Sequence, residues 1–182
     1  MEDTPDHRET IILFGGLSHS YLEEWGITGT ANLDIPEKKI GVRFEEIPHE
    51  ALMTRYGNLN AEEQTEASAL AKQLLEEASQ DPPASIGEAE IEKATRLHVA
   101  MKSFVEQRRA DVVSITCGPF IRDADKPVPC VALTLFQDRG IPAACQGDID
   151  ALLTMVLFKR VSGQPSFMGG PIEDGGRLAV SH

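Results

Sequence analysis

Cysteine is scarce in this 182-residue sequence: there are three, and none forms a CxxC pair. That leaves no disulfide framework and no recognisable zinc motif, and a reducing cytoplasm becomes the expected compartment. Aromatic residues make up only 5% of the chain, so the core is expected to be built from Ala, Leu, Ile, Val and Met. Basic side chains are outnumbered, 17 against 29 acids, for a net charge of -12. A nucleic-acid binder needs a concentrated basic face to displace counterions, so neither nucleic acid nor an anionic membrane surface is an expected partner. No apolar run approaches the roughly 18 residues of a membrane span. The polar, acidic start Met1–Glu9 lacks the basic and apolar regions of a secretory signal. GxGxxG, P-loop and GxSxG motifs are also missing, which sets aside dinucleotide, nucleoside triphosphate and serine-hydrolase chemistry.

What is present is an alternation of strand-like and helix-like segments. After a polar tail at 1–9, the apolar run Thr10–Phe14 closed by Gly15-Gly16 reads as a buried parallel strand. The following twenty-odd residues have no clear period. Val42–Ile47 alternates apolar and polar and stops at Pro48, as a strand does. Helices are expected over 49–56, over 61–80 with Asn60 as N-cap, and over 86–109. Nine acids and one base, Lys72, fall between Ala61 and Glu92, which reads as a solvated helical face. Asp111–Cys117 is expected to be a central strand, followed by a Gly/Pro loop at 118–129, a helix at 130–138, a short strand at 141–145 and an apolar helix at 148–161. Beyond Gly163 come short pieces: a loop from Gly169 to Gly176 and a last strand, Arg177–His182. The pattern predicts an α/β fold, an open and mostly parallel sheet with helices on both faces, as in a Rossmann-like three-layer sandwich. It assigns 10–147 to that domain and 148–182 to a helix and a short β-rich C-terminal extension.

In such sheets ligands collect at the carboxyl ends of strands. Three segments end there: Gly15–Ser20, Cys117–Lys126 and Cys145–Asp150. In the third, Gln146-Gly147-Asp148 joins a strand to an apolar helix, so Asp148 is either an N-cap or a ligand to a metal or substrate. Asp150 falls in the first turn, where the helix dipole accounts for it. Asp123 and Asp125, beside Arg122 and Lys126, are either a solvated turn with local ion pairs or hard-oxygen ligands. His19 is either a donor to a substrate hydroxyl or surface decoration. His182 is either a metal ligand or an exposed terminus. His49 and His98 fall on helices and read as surface or boundary residues. Cys117 and Cys145 each close a strand and come near enough to meet, with no base placed to activate either.

The segment Pro129-Cys130 through Gly140-Ile-Pro-Ala-Ala-Cys-Gln-Gly-Asp148 to Leu153-Thr-Met155, followed by Gly163-Gln-Pro-Ser-Phe167, resembles L-fucose isomerase and related sugar isomerase-like proteins. The resemblance is specific over 129–167 and weaker before it, where Gly41-Val-Arg-Phe44 and Glu50-Ala-Leu52 take part. It implies a Mn2+-dependent aldose–ketose isomerase of carbohydrate metabolism, with two acidic ligands and a histidine, acting on a small-molecule sugar as a homo-oligomer. It places Asp148 as a metal ligand and catalytic group. Gln146 stands where the family has glutamate, and is carried over as a substrate-binding residue. The family's first metal carboxylate follows the cysteine-ended strand, where this chain has Gly118-Pro-Phe120. Asp123, or Asp125, would have to stand in, with His182 as the histidine ligand and His19 on the sugar. Family members are more than twice as long, so the resemblance covers their middle α/β domain and the start of the last one, as a fragment would. The function implied is part of a metal-dependent sugar isomerase working through an enediol. The alternative is a non-catalytic sugar-binding or assembly module on the same scaffold.

Overall fold

The run Ile11–Phe14 has no polar residue to turn toward water, so it needs cover on both faces. The computed structural model, which describes residues 8–17, 32–78, 87–123 and 125–181, shows that cover. Strand β1 (Glu9–Phe14) sits inside a four-stranded parallel sheet of order β2-β1-β3-β4, with β2 Val42–Ile47, β3 Val112–Ile115 and β4 Ala143–Ala144. Ile12, Phe14, Val113 and Ile115 point to one face and Ile11, Leu13, Val42 and Val112 to the other. The two-residue period of a strand sorts these residues into two separate cores.

The first face is covered by α2 (His49–Gly57), α4 (Glu88–Arg108) and α6 (Cys130–Asp138), with α3 (Ala61–Ala78) packed outside α4. The second face is covered by α7 (Ile149–Ser162), through Ile149, Leu152, Leu153, Met155 and Val156, and by Leu33 and Ile40 at the ends of α1 (Asp34–Ile40). Helices on both faces make the expected three-layer α/β sandwich. Order outward from β1 reverses between β1 and β3, so the loops leaving these two strands diverge and open a crevice at their carboxyl ends.

Several sequence expectations are corrected. Helix α1 lies in the stretch that shows no clear period: its seven residues are too few to display one, and Gly41 at φ 75° ends it in the left-handed cap. The loop expected after Cys117 begins with the short helix α5 (Gly118–Ile121), whose proline occupies the first turn, where no N–H is needed. The strand expected over 141–145 shrinks to two residues. The loop expected from Gly169 to Gly176 is instead strand β5 (Gly170–Asp174), paired antiparallel with β6 (Arg177–Ser181). Gly175 and Gly176, both at positive φ, supply the turn between them.

Asn60 caps α3 as read, and more fully: its Oδ1 accepts from Glu63 N at 3.0 Å while Glu63 Oε2 accepts from Asn60 N at 2.8 Å, a reciprocal capping box. The acidic face is only partly a solvated one. Glu63 pairs with Arg55, and Glu66 with Lys102 at 2.6 Å, so these two acids tie α3 to α2 and α4. Among the described residues no helix is long and apolar enough to cross a membrane.

His98 is the largest departure from the sequence reading. It is fully buried, its Nδ1 lies 3.1 Å from Ala132 O, and its ring packs 4.5 Å from that of Phe136. In that setting Nδ1–H donates to the carbonyl and the imidazole is neutral. Burial, reinforced by the positive charges of Arg139 and Lys102 and opposed by the Ala132 hydrogen bond and Glu66, pushes its pKa down to about 4. Helical spacing puts His98 on the stripe of Ala94, Leu97 and Met101, but a histidine on such a stripe counts as boundary until its tertiary partner is known.

Two outcomes follow from this core. Ile115→Asp buries an unpaired charge at a fully buried position and should cost several kcal/mol, read as a loss of cooperative unfolding in urea; a mild effect would contradict the sheet order. For His98, the folded pKa lies below the unfolded value, so its contribution is fully present above about pH 6.5 and is lost as pH falls toward 4. Between pH 7 and pH 4.5 this one group should remove roughly 2 kcal/mol of stability. His98→Phe should remove that share of the pH slope in paired urea titrations; an unchanged slope would contradict a neutral buried His98.

Candidate functional site

At the carboxyl edge of the sheet, three strand ends are tied together by one buried side chain. Thr116, directly after β3 and 2% exposed, donates from Oγ1 to Gly16 O at 2.8 Å, which joins the loop after β1 to the end of β3. On its other side stands Gly147: a Cβ there would lie 2.9 Å from Thr116 Oγ1, and its φ is 65°. Only glycine fits both the backbone conformation and the space. Gly147 N donates to Ile115 O at 3.1 Å, continuing the sheet's pairing past the end of β4.

This close approach presents the two residues on either side. Gln146 is one of two non-glycine residues at positive φ among those described, at 62°. Such a conformation costs energy and persists only where the surroundings impose it, here the bond from Gly147 to β3. Asp148 follows in extended conformation, φ -73° and ψ 98°, and its Oδ1 accepts from Ala151 N at 2.9 Å as the N-cap of α7. The capping reading of Asp148 is therefore realised. It engages Oδ1 with Ala151 and makes use of the positive end of the helix dipole.

Asp123 lies in the turn after α5. Its Oδ1 accepts from Asp125 N at 3.1 Å and its Oδ2 lies 3.4 Å from Lys126 Nζ, which is the local turn with an ion pair. The β4–α7 turn thus brings Gln146 and Asp148 together, beside Gly16 and Thr116, while the contacts of Asp123 are within its own turn. His19 and His182 fall outside the described residues. Among the described residues no three His, Cys, Asp or Glu side chains converge as a metal-binding group.

The cysteines meet as expected. Cys117 and Cys145 are both buried on the first face of the sheet. The hydrogen bond with Cys117 and then burial drive the Cys145 thiol far above the usual range, and burial followed by Cys117 raises that of Cys130. None of these shifts favours a thiolate, and the buried Cys117 and Cys145 act as packing groups.

Thr116 and His49 carry no role in the sequence reading. Thr116 ends an apolar strand, where a lone hydroxyl gives no signal of its partner. His49, in the first turn of α2, lies with its ring edge-on to Phe120 at 5.1 Å, and Gly15 is the residue that leaves room for it: a Cβ on Gly15 would run into the imidazole. Burial lowers its pKa, against the upward effects of the Thr116 main chain and Glu50 and with a further downward one from Lys126, so the neutral imidazole is favoured.

No family model matches the chain. Over 132 residues it is 26% identical to the sulfoquinovose isomerase of Clostridium sp. (strain MSTE9), a match that covers 72% of this chain and 28% of that protein. The chain therefore spans less than a third of the length of that relative. The likeness is to a sugar isomerase and does not single out L-fucose isomerase.

Proposed function

We propose that this chain is the α/β part of an aldose–ketose sugar isomerase and that its carboxyl edge, at Gln146 and Asp148, faces the sugar. The observation that carries this reading is the likeness to a sugar isomerase over most of the chain. It is supported by a strained polar residue, Gln146, held next to a carboxylate at the sheet's crevice.

The groups suit a polyol. The Gln146 amide offers a donor and an acceptor to neighbouring hydroxyls. Asp148 spends Oδ1 on Ala151 N, and its second oxygen is left for a hydroxyl. Aldose–ketose interconversion needs a base to move a proton between C2 and C1 through an enediol, and Asp148 is a carboxylate held in one place by its own helix. We also propose Mn2+ as the cofactor; when bound, such an ion supplies Lewis-acid stabilisation of neighbouring oxygens. The described residues do not assemble its ligand set: Asp148 caps α7 through Oδ1, and Asp123 is engaged in its own turn. The remaining donors would come from His19, His182 or regions matching the rest of the relative.

Aspartate and asparagine cap helices equally well, so substitutions at 148 separate the cap from the chemistry. Asp148→Asn should leave unfolding free energy within about 0.5 kcal/mol of wild type, while Asp148→Ala costs about 1 kcal/mol. In competition titrations, an aldose and the ketose with which it interconverts should displace one another, as an isomerase site must hold both. Asp148→Asn should weaken both by about tenfold, since a hydrogen bond to a charged group is being replaced by a neutral one. Binding of only one sugar of the pair would favour the non-catalytic module, and unchanged binding in Asp148→Asn would remove Asp148 from the site.

A further inference from the structure

Next to the β4–α7 turn, at the edge strand of the sheet, a recess of about 110 Å³ opens between α6 and the chain that follows α7. Its apolar lining is Cys130, Leu133, Ala143, Cys145, Phe167 and Met168. Small-molecule pockets begin near roughly 300 Å³, so this space holds one face or corner of a ring and not a whole molecule. Met168 packs against both cores of the sheet, which fixes the point from which Phe167 projects. Phe167 itself is 70% exposed. A lone exposed apolar side chain is ordinary, but an exposed aromatic ring that walls an apolar recess is a contact surface.

The chemistry of the walls limits the occupant. Two polar side chains reach the recess, and both spend their donors within it: Thr134 Oγ1 donates to Cys130 O at 3.1 Å, and Gln137 Nε2 donates to Ala143 O at 3.2 Å. Among the described residues no charged side chain lines it, so neither an anion nor a cation finds a counter-charge there. Cys145, on its wall, directly precedes Gln146, with about 3.8 Å from one Cα to the next. The apolar recess and the polar groups of Gln146 and Asp148 are therefore neighbours at one strand end. A sugar ring has the matching division: hydroxyls project from its rim, while its faces carry C–H groups. The electron-rich face of an aromatic ring attracts such C–H groups, and covering them removes apolar surface from water.

We propose that Phe167 and the recess it walls receive the C–H face of the sugar ring, which makes Phe167 a substrate-binding residue. This rests on the sugar-isomerase reading and deepens it: Gln146 and Asp148 take the hydroxyls, and Phe167 selects the ring face that is presented. Because the contact is with ring carbons, it serves neutral and anionic sugars alike.

The test is an NMR titration of the full chain with sulfoquinovose and with L-fucose as probes. The sugar that binds should shift the Phe167 and Met168 amides together with those of Gln146 and Asp148, and its ring C–H protons should move upfield in the ring current of Phe167. Phe167→Leu keeps apolar bulk without the aromatic ring; it should abolish the upfield shift and weaken binding about fivefold, and Phe167→Tyr should restore both. The exposure of Phe167 makes these variants tolerable to the fold, with circular dichroism as the check. Sugar shifts at Gln146 and Asp148 with wild-type affinity in Phe167→Leu would overturn the ring contact and leave the isomerase reading standing. Phe167 shifts on changing protein concentration without sugar would assign the recess to a second copy and overturn the proposal. Absence of shifts with both sugars would overturn the contact and the isomerase reading together.

Discussion

The hydrogen bond from Thr116 Oγ1 to Gly16 O, with Gly147 pressed against the same hydroxyl, is the constraint on which the carboxyl edge depends. The sheet itself is held by burial of Ile11–Phe14 and Val112–Ile115, which is non-directional and indifferent to how the loops beyond it are arranged. Direction enters at Thr116. Because the group is buried, an unmet hydroxyl there would carry a desolvation cost, so loop, strand end and helix cap are fixed together. Gln146 and Asp148 inherit their positions from it, and so does the Gly15-Gly16 loop that leaves space for His49 and Glu46.

The groups at this edge are polar and suit the hydroxyl-rich ligand proposed for it. It offers an amide at Gln146, a carboxylate at Asp148 anchored to its helix, two further carboxylates at Glu46 and Glu50, and an imidazole at His49 that burial keeps neutral. Basic side chains on this side are engaged locally, as Lys126 is with Asp123. That balance matches the acidity of the whole chain, at net charge -12.

Much of the fold is legible in the sequence because burial leaves a periodic trace. The fully apolar run of β1, the alternation of β2 and the Pro129-Cys130 start of α6 all appear where periodicity and turn residues place them. Asn60 and Asp148 are readable as caps because a cap is a local event between residues three apart. The failures are of two kinds. Helix α1 and strand β5 are short, and their Asp, Pro, Gly and Glu residues carry turn signals that pairing and packing override. Thr116, His49 and His98 get their roles from partners distant in the chain, at separations of 100 for Thr116–Gly16 and 34 for His98–Ala132. No spacing rule reaches that far, so the residues that organise the site are less visible in the sequence than those that decorate it.

The most direct measurement of this account is sugar affinity in a pair of substitutions at Thr116. Thr116→Ser keeps the hydroxyl and Thr116→Val keeps the shape, so the pair isolates one hydrogen bond. The account predicts that Thr116→Ser binds the sugar as wild type does and that Thr116→Val, still folded, binds it about tenfold more weakly. Wild-type affinity in Thr116→Val would contradict the claim that this hydroxyl sets the sugar-facing edge.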